Sequence, residues 1–265
     1  ITDMSDAYDV SVDPTGHILV SGSTRGSLAS PNAGEEDAFV RKLDADGAEV
    51  WTRQYGDAGW DVALDVAVDA QGNVAVVGST EISDYGETNV LVWMMDADGN
   101  ELWDRSFGSG DPSEGTAVAM DPDGDVLVAG AAIGSVGGDA PGDYDPFVRR
   151  YDPDGTVEWT HQFGTPGYEH LWGIAVGGDG RIAVVGLTDG ALTETATGTR
   201  DAFVATVASN GTPLEIYQFG TTGADIVQSV DVDASGHLVV VGSTQGALGG
   251  TNLGSDDVFV RKLDP

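Results

Sequence analysis

The clearest hydrophobic pattern lies in residues 61–108, where four short apolar segments follow one another. Every second residue from 62 to 68 is a larger aliphatic side chain, and a period of two predicts a β-strand. Residues 74–78 are apolar almost throughout, which is typical of a strand covered on both faces. Residues 90–95 and 101–107 predict two further strands, and Asp-x-x-Gly turns separate the first from the second and the third from the fourth. No segment of the chain shows convincing helical periodicity.

This pattern of strands recurs five times. The second strand of each unit begins just after Gly16, Gly72, Gly124, Gly180 or Gly236, so that the units are 52 or 56 residues apart. A third-strand motif, Asp-Ala-Phe-Val-Arg-Lys-Leu-Asp in its first copy, recurs at the same spacing. A fixed period in this range indicates a repeat architecture. The structural residues of the repeat are glycines of the second strand, acids at the start of the third and tryptophans of the fourth: Gly22, Gly78, Gly130, Gly186, Gly242, Asp37, Asp145, Asp201, Asp257, Trp51, Trp103 and Trp159.

Four short antiparallel strands repeated five times predict an all-β fold, a five-bladed β-propeller. We expect one domain over residues 1–265, with blades near 1–56, 57–108, 109–164, 165–220 and 221–265. The last blade ends after its third strand, so that the total is about 19 strands. The fourth-strand tryptophans are expected to pack between blades, because aromatic rings bury large areas. The fourth copy departs from the pattern, with Glu215 in the tryptophan position.

The chain resembles the SBBP family of bacterial β-propeller repeats. Units of that family read like Asp-Ala-Phe-Val-x-Lys-Leu-Asp, then Trp-Thr-Arg-Gln-Phe-Gly, then Val-Ala-Val-Asp-x-x-Gly-Asn-Val-x-Val-x-Gly. Residues 37–80 match this pattern almost throughout, and the resemblance covers all 265 residues. The chain is similar more distantly to NHL-type propellers. The resemblance implies a secreted or surface-exposed repeat module without shared catalytic residues.

Charge narrows the classes of partner. The chain has 44 acidic and 11 basic side chains, a formal net charge of −33. Such a surface repels nucleic acid and anionic lipid, and no run of apolar residues is long enough for a membrane helix. We therefore expect neither nucleic-acid binding nor membrane insertion. There is no cysteine, and the acids are mostly Asp while the lysines are only Lys42 and Lys262. A composition rich in Asp and poor in Lys favours a secreted or cell-surface protein.

Basic residues cluster on the third strands, as Arg41 and Lys42, Arg149 and Arg150, and Arg261 and Lys262. In so acidic a chain we interpret them as salt-bridge partners between blades.

Variable loops join the second and third strands at residues 24–36, 81–88, 131–144, 188–200 and 244–256. Insertions at equivalent points of a repeat emerge on one face, where a protein or glycan ligand could bind. No cofactor is required by any motif. The best candidate for a calcium site is the acidic loop with Asp139, Asp143 and Asp145, because carboxylate oxygens are ligands that calcium prefers.

The sequence favours a binding or scaffold module that is not an enzyme, with contacts through these loops. A residue present in every repeat is expected to build the blade, and no singular catalytic set stands out. A lactonase-like hydrolase or lyase, with an acidic calcium site at the central channel, stays as the alternative. Residues 258–263 are expected to form an exposed strand edge that pairs with a strand from another segment or chain.

Overall fold

The computed structural model describes residues 4–82, 86–138, 140–193 and 196–264. These residues form strands and turns without a helix, so that no described segment is a helix able to cross a membrane. The nineteen strands are β1 Ser5–Val12, β2 Ile18–Thr24, β3 Asp37–Leu43, β4 Glu49–Tyr55, β5 Asp61–Val68, β6 Val74–Glu81, β7 Thr88–Met95, β8 Glu101–Phe107, β9 Ser113–Met120, β10 Val126–Ala132, β11 Asp145–Tyr151, β12 Val157–Gln162, β13 Glu169–Val176, β14 Ile182–Thr188, β15 Asp201–Val207, β16 Pro213–Phe219, β17 Asp225–Val232, β18 Leu238–Thr244 and β19 Asp257–Leu263.

The strands form five sheets, in the order in which they follow along the chain. The first four sheets contain β1–β4, β5–β8, β9–β12 and β13–β16, and the fifth contains β17–β19. The pairings in the first, second, fourth and fifth sheets are antiparallel. This arrangement matches a five-bladed β-propeller with a last blade of three strands, as the sequence predicts.

The turns form where the sequence predicts them. Between β1 and β2, Asp13 accepts hydrogen bonds from the backbone N–H of Thr15 (2.8 Å) and of His17 (2.9 Å). Gly16, which lies between Thr15 and His17, has φ +89°, a left-handed conformation that favours glycine. The same side-chain bonds recur between β5 and β6, where Asp69 accepts from Gln71 and Asn73 at 2.8 Å.

The second-strand glycines allow neighbouring strands to approach closely. A Cβ atom added at Gly22 would lie 2.0 Å from the carbonyl oxygen of Asp6, and one at Gly78 would lie 1.8 Å from that of Val62. Each close approach coincides with a shift of register in the first strand, between Ala7 and Asp9 in the first blade. Gly186 and Gly242 make equivalent approaches, so no other residue type fits these positions without movement of the backbone.

The chain divides into two compact units, residues 1–128 with 150–158, and residues 129–149 with 159–265. In the first unit, Trp51 donates from Nε1 to the carbonyl oxygen of Ala97 (3.3 Å) and Trp103 donates to that of Pro153 (2.9 Å). In the second unit, Trp159 donates to the carbonyl oxygen of Ser209 (3.0 Å). Each fourth-strand tryptophan therefore contacts the turn between the third and fourth strands of the next blade. A single domain with the blade limits given above stays a prediction.

The basic residues of the third strands correct one interpretation. Lys42 lies 2.9 Å from Asp13, Arg150 lies 2.8 Å from Asp121, and Lys262 lies 2.5 Å from Asp233. Each pair joins the third strand to the first hairpin of the same blade. These three salt bridges lie within blades and not between them, because the antiparallel pairing brings the end of the third strand beside that hairpin.

Candidate functional site

The loops between second and third strands are held by glutamines of the fourth strand. Gln54 accepts hydrogen bonds at Oε1 from the backbone N–H of Leu28 (2.8 Å) and Ala29 (3.1 Å). Its Nε2 donates to the carbonyl oxygen of Gly26 (3.0 Å) and to Oδ2 of Asp37 (2.7 Å). One side chain thus satisfies four polar groups and fixes the first turn of the loop.

The same arrangement recurs in two other blades. Gln218 bonds the N–H of Leu192 (2.9 Å), the carbonyl oxygen of Gly190 (3.0 Å) and Oδ2 of Asp201 (2.8 Å). Gln162 bonds the N–H of Val136 and the carbonyl oxygen of Gly134, both at 2.9 Å. These glutamines are not among the residues that were predicted from the sequence. The available signal is a glutamine that precedes an aromatic residue and a glycine at the same point of three repeats.

The third-strand acids organise the other end of these loops. Each accepts a hydrogen bond from a backbone N–H three or four residues earlier, and the pairs are Asp37 with Ala33 (3.1 Å), Asp145 with Gly142 (3.1 Å), Asp201 with Thr197 (2.8 Å) and Asp257 with Leu253 (2.7 Å). Their carboxylates therefore act as acceptors within the loop.

Of the three candidate calcium ligands, Asp139 lies outside the described residues. Asp143 is exposed, whereas Asp145 is fully buried and its Oδ1 has no hydrogen-bond partner. Burial raises the pKa of Asp145, and the nearby charges of Glu169 and Asp143 raise it further. Over the described ranges, no three His, Asp or Glu side chains converge to hold a metal ion. Calcium at this loop stays a prediction.

An acidic cavity of about 730 Å³ lies beside the loop of the first blade, and sequence reasoning missed it. Its lining comprises Glu35, Asp57, Ala58, Gly59, Trp60, Glu81 and Ile82. The side chain of Trp60 is 46% exposed, and its Nε1 donates a hydrogen bond to Glu35. The guanidinium of Arg25 lies 5.7 Å from the centre of the Trp60 ring and is paired with Glu36. A large aromatic surface and three carboxylates therefore share one cavity.

Trp60 breaks the repeat. Isolated parallel bridges join Glu36 to Trp60, Tyr144 to Tyr168 and Arg200 to Ala224, so that Trp60, Tyr168 and Ala224 occupy the same point of three blades. A position that accepts alanine does not need tryptophan for folding. The exposed indole of Trp60 is therefore a particular feature of the second blade, whose first strand it precedes.

A pair of carboxyl groups also breaks the repeat on the first strands. Asp9 accepts a hydrogen bond from the N–H of Val66 (3.3 Å), and Asp65 accepts one from the N–H of Val118 (2.7 Å). Burial, together with a hydrogen bond to Asp9, raises the pKa of Asp65 to about 7. The equivalent residues of the later blades are Ala117, Gly173 and Ser229, so the acid pair occurs only at the first two blades.

Comparisons with known proteins give one relative in sequence. No family model matches the chain. The regulatory protein FlaEY of Caulobacter vibrioides is 29% identical over 247 residues, which cover 86% of this chain and 25% of that protein. The chain thus spans about a quarter of the length of the relative that it matches.

Solved structures show the same fold at low identity. A crystal structure of a puromycin hydrolase mutant complexed with PGG is 16% identical, has a TM-score of 0.55 and is matched over 98% of this chain and 36% of the other. The β-propeller domain of the Trilobed protease from Pyrococcus furiosus, which has an open velcro topology, is 7% identical with a TM-score of 0.53, over 97% of this chain and 68% of the other.

These likenesses correct one prediction. The expectation that the chain is not an enzyme was wrong, because a chain with this fold is found in a puromycin hydrolase. The error lay in treating repeated blades as an argument against catalysis, since function belongs to sites placed on a fold and not to the fold itself. At these identities the likeness shows the fold alone, a β-propeller.

Proposed function

We propose that this chain is a protein-binding β-propeller module that contacts its partner through the loops between second and third strands, at the cavity where Glu35 and Ile82 of two such loops meet Trp60. The observation that carries the proposal is the exposed Trp60 ring within an acidic cavity. Tryptophan is enriched at the centres of protein interfaces, and an exposed large apolar surface rimmed by polar groups is typical of binding sites.

The chemistry of the cavity favours a basic segment of the partner. Glu35, Asp57 and Glu81 supply carboxylates, while Trp60 and Ile82 supply apolar surface for an aliphatic stem. An arginine or lysine combines both features, since its stem packs on apolar groups while its cationic end pairs with carboxylates. The net charge of −33 adds long-range attraction for such a partner.

Two further features support the proposal that this chain is a module of a larger protein. The sequence relative is a regulatory protein of which the chain covers a quarter, and the SBBP resemblance implies repeat modules that are secreted or exposed on the cell surface. We accordingly propose an extracellular location and membership of that repeat family. We also propose that the edge of β19 pairs with a strand from another segment.

A peptide titration tests the proposed cavity. The probe is a fluorescein-labelled hexapeptide with an Arg-Leu-Arg centre, and the matched control peptide has citrulline in place of arginine. Fluorescence anisotropy should show binding of the arginine peptide that weakens when NaCl rises from about 0.05 M to about 0.3 M, because salt screens the attraction. The substitution Trp60→Ala should weaken binding by roughly tenfold, as expected for an interface tryptophan.

Tyr168→Ala is the control variant, because Tyr168 occupies the same point of another blade. It should leave the affinity unchanged. Equal affinity of the two peptides, or equal effects of the two substitutions, would refute the cavity as a site for basic segments.

A further inference from the structure

Two buried carboxylates meet where the third blade contacts the fourth. Asp145 is the first residue of β11 and Glu169 is the first residue of β13, and both residues are 0% exposed. A Cβ atom added at Gly164 would lie 2.1 Å from Oδ1 of Asp145 and 2.9 Å from Oε2 of Glu169, so these two oxygens approach each other across the glycine. Besides burial, the groups that raise the pKa of Asp145 are two further carboxylates, those of Glu169 and Asp143.

Asp145 accepts fewer hydrogen bonds than the equivalent acid of the fourth blade. Asp201 accepts three, of which one comes from Nε2 of Gln218 (2.8 Å). Asp145 accepts one, at Oδ2 from the N–H of Gly142 (3.1 Å), and its buried Oδ1 has no partner. The glutamine of the third blade, Gln162, bonds the preceding loop instead. A charged oxygen that is buried without a donor is costly, so Oδ1 of Asp145 points to a cationic ligand.

The carboxylate of Glu169 is fixed toward Asp145 by two threonines. Its Oε2 accepts a hydrogen bond from the N–H of Thr165 (2.7 Å), and its Oε1 accepts from Oγ1 of Thr165 (2.7 Å) and Oγ1 of Thr188 (2.6 Å). Since a carboxylate oxygen has two lone pairs, Oε2 can make one more contact on the side of Asp145.

Two carbonyl oxygens lie close to the same carboxylate. A Cβ atom added at Gly142 would lie 2.4 Å from the carbonyl oxygen of Thr165, 2.5 Å from that of Gly167 and 3.2 Å from Oδ1 of Asp145. A cavity of about 620 Å³, whose wall includes Gly164, opens beside this region. Carboxylates and carbonyl oxygens are the donors that calcium binds, whereas zinc favours nitrogen and sulfur.

The equivalent point between the second and third blades gives an internal comparison. Asn89 and Ser113 stand there, and a Cβ atom added at Gly108 would lie 2.1 Å from Oδ1 of Asn89 and 3.3 Å from Oγ of Ser113. The same close approach therefore forms between two neutral side chains. A contact that forms without charge does not need two carboxylates for folding, so the charges of Asp145 and Glu169 require a different explanation.

We propose that Asp145 and Glu169 bind a calcium ion between the third and fourth blades. Oδ1 of Asp145 and Oε2 of Glu169 supply two negative charges, which match a divalent cation, and the carbonyls of Thr165 and Gly167 supply neutral oxygens. The ion would join the end of the loop before β11 to the start of β13. Of the three calcium ligands predicted from the sequence, this site keeps Asp145, while the exposed Asp143 attracts the cation at longer range.

Calcium titrations of the 265-residue protein, freed of divalent cations with EDTA, test the site. Calorimetry in about 0.15 M NaCl, which screens the net charge, should give a Kd of roughly 0.1–1 mM, the range of extracellular calcium modules. Calcium at about ten times the Kd should raise Tm by about 3 °C. Magnesium at the same concentration should give a much smaller shift, because it releases its water reluctantly and demands near-octahedral geometry.

Two variants locate the ion. Asp145→Asn and Glu169→Gln keep the size of the side chain and remove one charge, so each should lower the calcium affinity by at least about tenfold. In EDTA, Asp145→Asn should raise Tm, because it removes the repulsion between two buried carboxylates, whereas an acid that served only to cap the loop would give the opposite sign. Asp201→Asn is the matched control and should leave the calcium affinity unchanged, since Gln218 already bonds that carboxylate.

Three results would overturn the inference. One is a Tm that calcium does not raise, or raises no more than magnesium does, because the effect would then be screening of the net charge. Another is unchanged calcium affinity in Asp145→Asn or in Glu169→Gln, each verified as folded by thermal melting. The third is an equal loss of affinity in Asp145→Asn and Asp201→Asn. Trp60→Ala should leave the calcium affinity unchanged, so this test is separate from that of the Trp60 cavity.

Discussion

The first and fifth blades have nearly the same third strand, Asp-Ala-Phe-Val-Arg-Lys-Leu and Asp-Val-Phe-Val-Arg-Lys-Leu, in very different surroundings. Val40 of the first blade is 0% exposed, whereas Val260 at the same point of the fifth is 67% exposed. Val40 belongs to a core cluster with Leu91 and Trp93 of the second blade, while Val260 has no such cover among the described residues. Burial at this position is therefore supplied by the next blade and not by the strand's own sequence.

The same contrast applies to a salt bridge. Lys42 and Asp13 are 2.9 Å apart, with side chains only 6% and 3% exposed, whereas Lys262 and Asp233 have side chains 55% and 28% exposed. Burial alone would raise the pKa of Asp13, but hydrogen bonds from Thr15, Lys42 and the backbone hold the pKa well below its usual range. One repeated pair of residues is thus a buried structural element in one blade and a surface ion pair in the other.

The largest expected effect comes from a charge at the covered valine. Val40→Asp should lower the free energy of unfolding by more than about 4 kcal/mol, because it buries an unpaired carboxylate. Val260→Asp should change it by less than about 0.5 kcal/mol, as is usual at an exposed position. Urea denaturation measures both, and Val40→Thr, with an expected loss of roughly 1–2 kcal/mol, keeps the comparison measurable if Val40→Asp does not fold. Equal losses at the two valines would contradict the difference in cover.

Much of the fold could be predicted because period and turn chemistry are local. Strands β5, β7 and β8 lie within one or two residues of the predicted segments, while β6 extends three residues further. The open and covered faces could not be predicted in this way. Val40 and Val260 have the same neighbours in sequence, and only the presence of a packed blade distinguishes them.

The candidate site was predicted less well, for two physical reasons. The sequence identified the loops between second and third strands, but Trp60 lies outside them and enters the cavity through its bridge to Glu36. Gln54 has its partners 25 to 28 residues earlier and 17 residues earlier, and these contacts arise only when β4 pairs with β3. A long-range hydrogen bond leaves no local pattern in the sequence.

The next effect concerns the two lysines. Lys42→Met should lower the free energy of unfolding by about 3 kcal/mol, since it removes the partner of a buried carboxylate while it keeps the aliphatic stem. Lys262→Met should leave the urea midpoint unchanged, because the pair that it removes is exposed. If Lys262→Met destabilised the protein as much as Lys42→Met, the fifth blade would be covered in solution and the comparison would fail.

The smallest expected effect concerns the acid pair Asp9 and Asp65. The fifth blade has no equivalent of Asp65, because Ser229 stands at that point of its first strand. The pKa of Asp65 is about 7 in the folded protein, above its ordinary value of 3.8. Between these two pH values the folded protein holds a proton that the unfolded chain has released. The contribution of Asp65 to stability is therefore present at low pH and is lost as the pH rises through about 7.

Asp65→Asn supplies a neutral side chain that can donate to Asp9 and still accept from the N–H of Val118. It should raise the free energy of unfolding by about 2 kcal/mol at roughly pH 8 and leave it unchanged at roughly pH 3, below both pKa values. Ser229→Asn is the control at the equivalent point and should show no such dependence on pH. Urea midpoints measured across this range decide the matter, and a wild-type protein whose stability rises steadily from about pH 4 to about pH 8 would show that Asp65 holds no proton above its ordinary pKa.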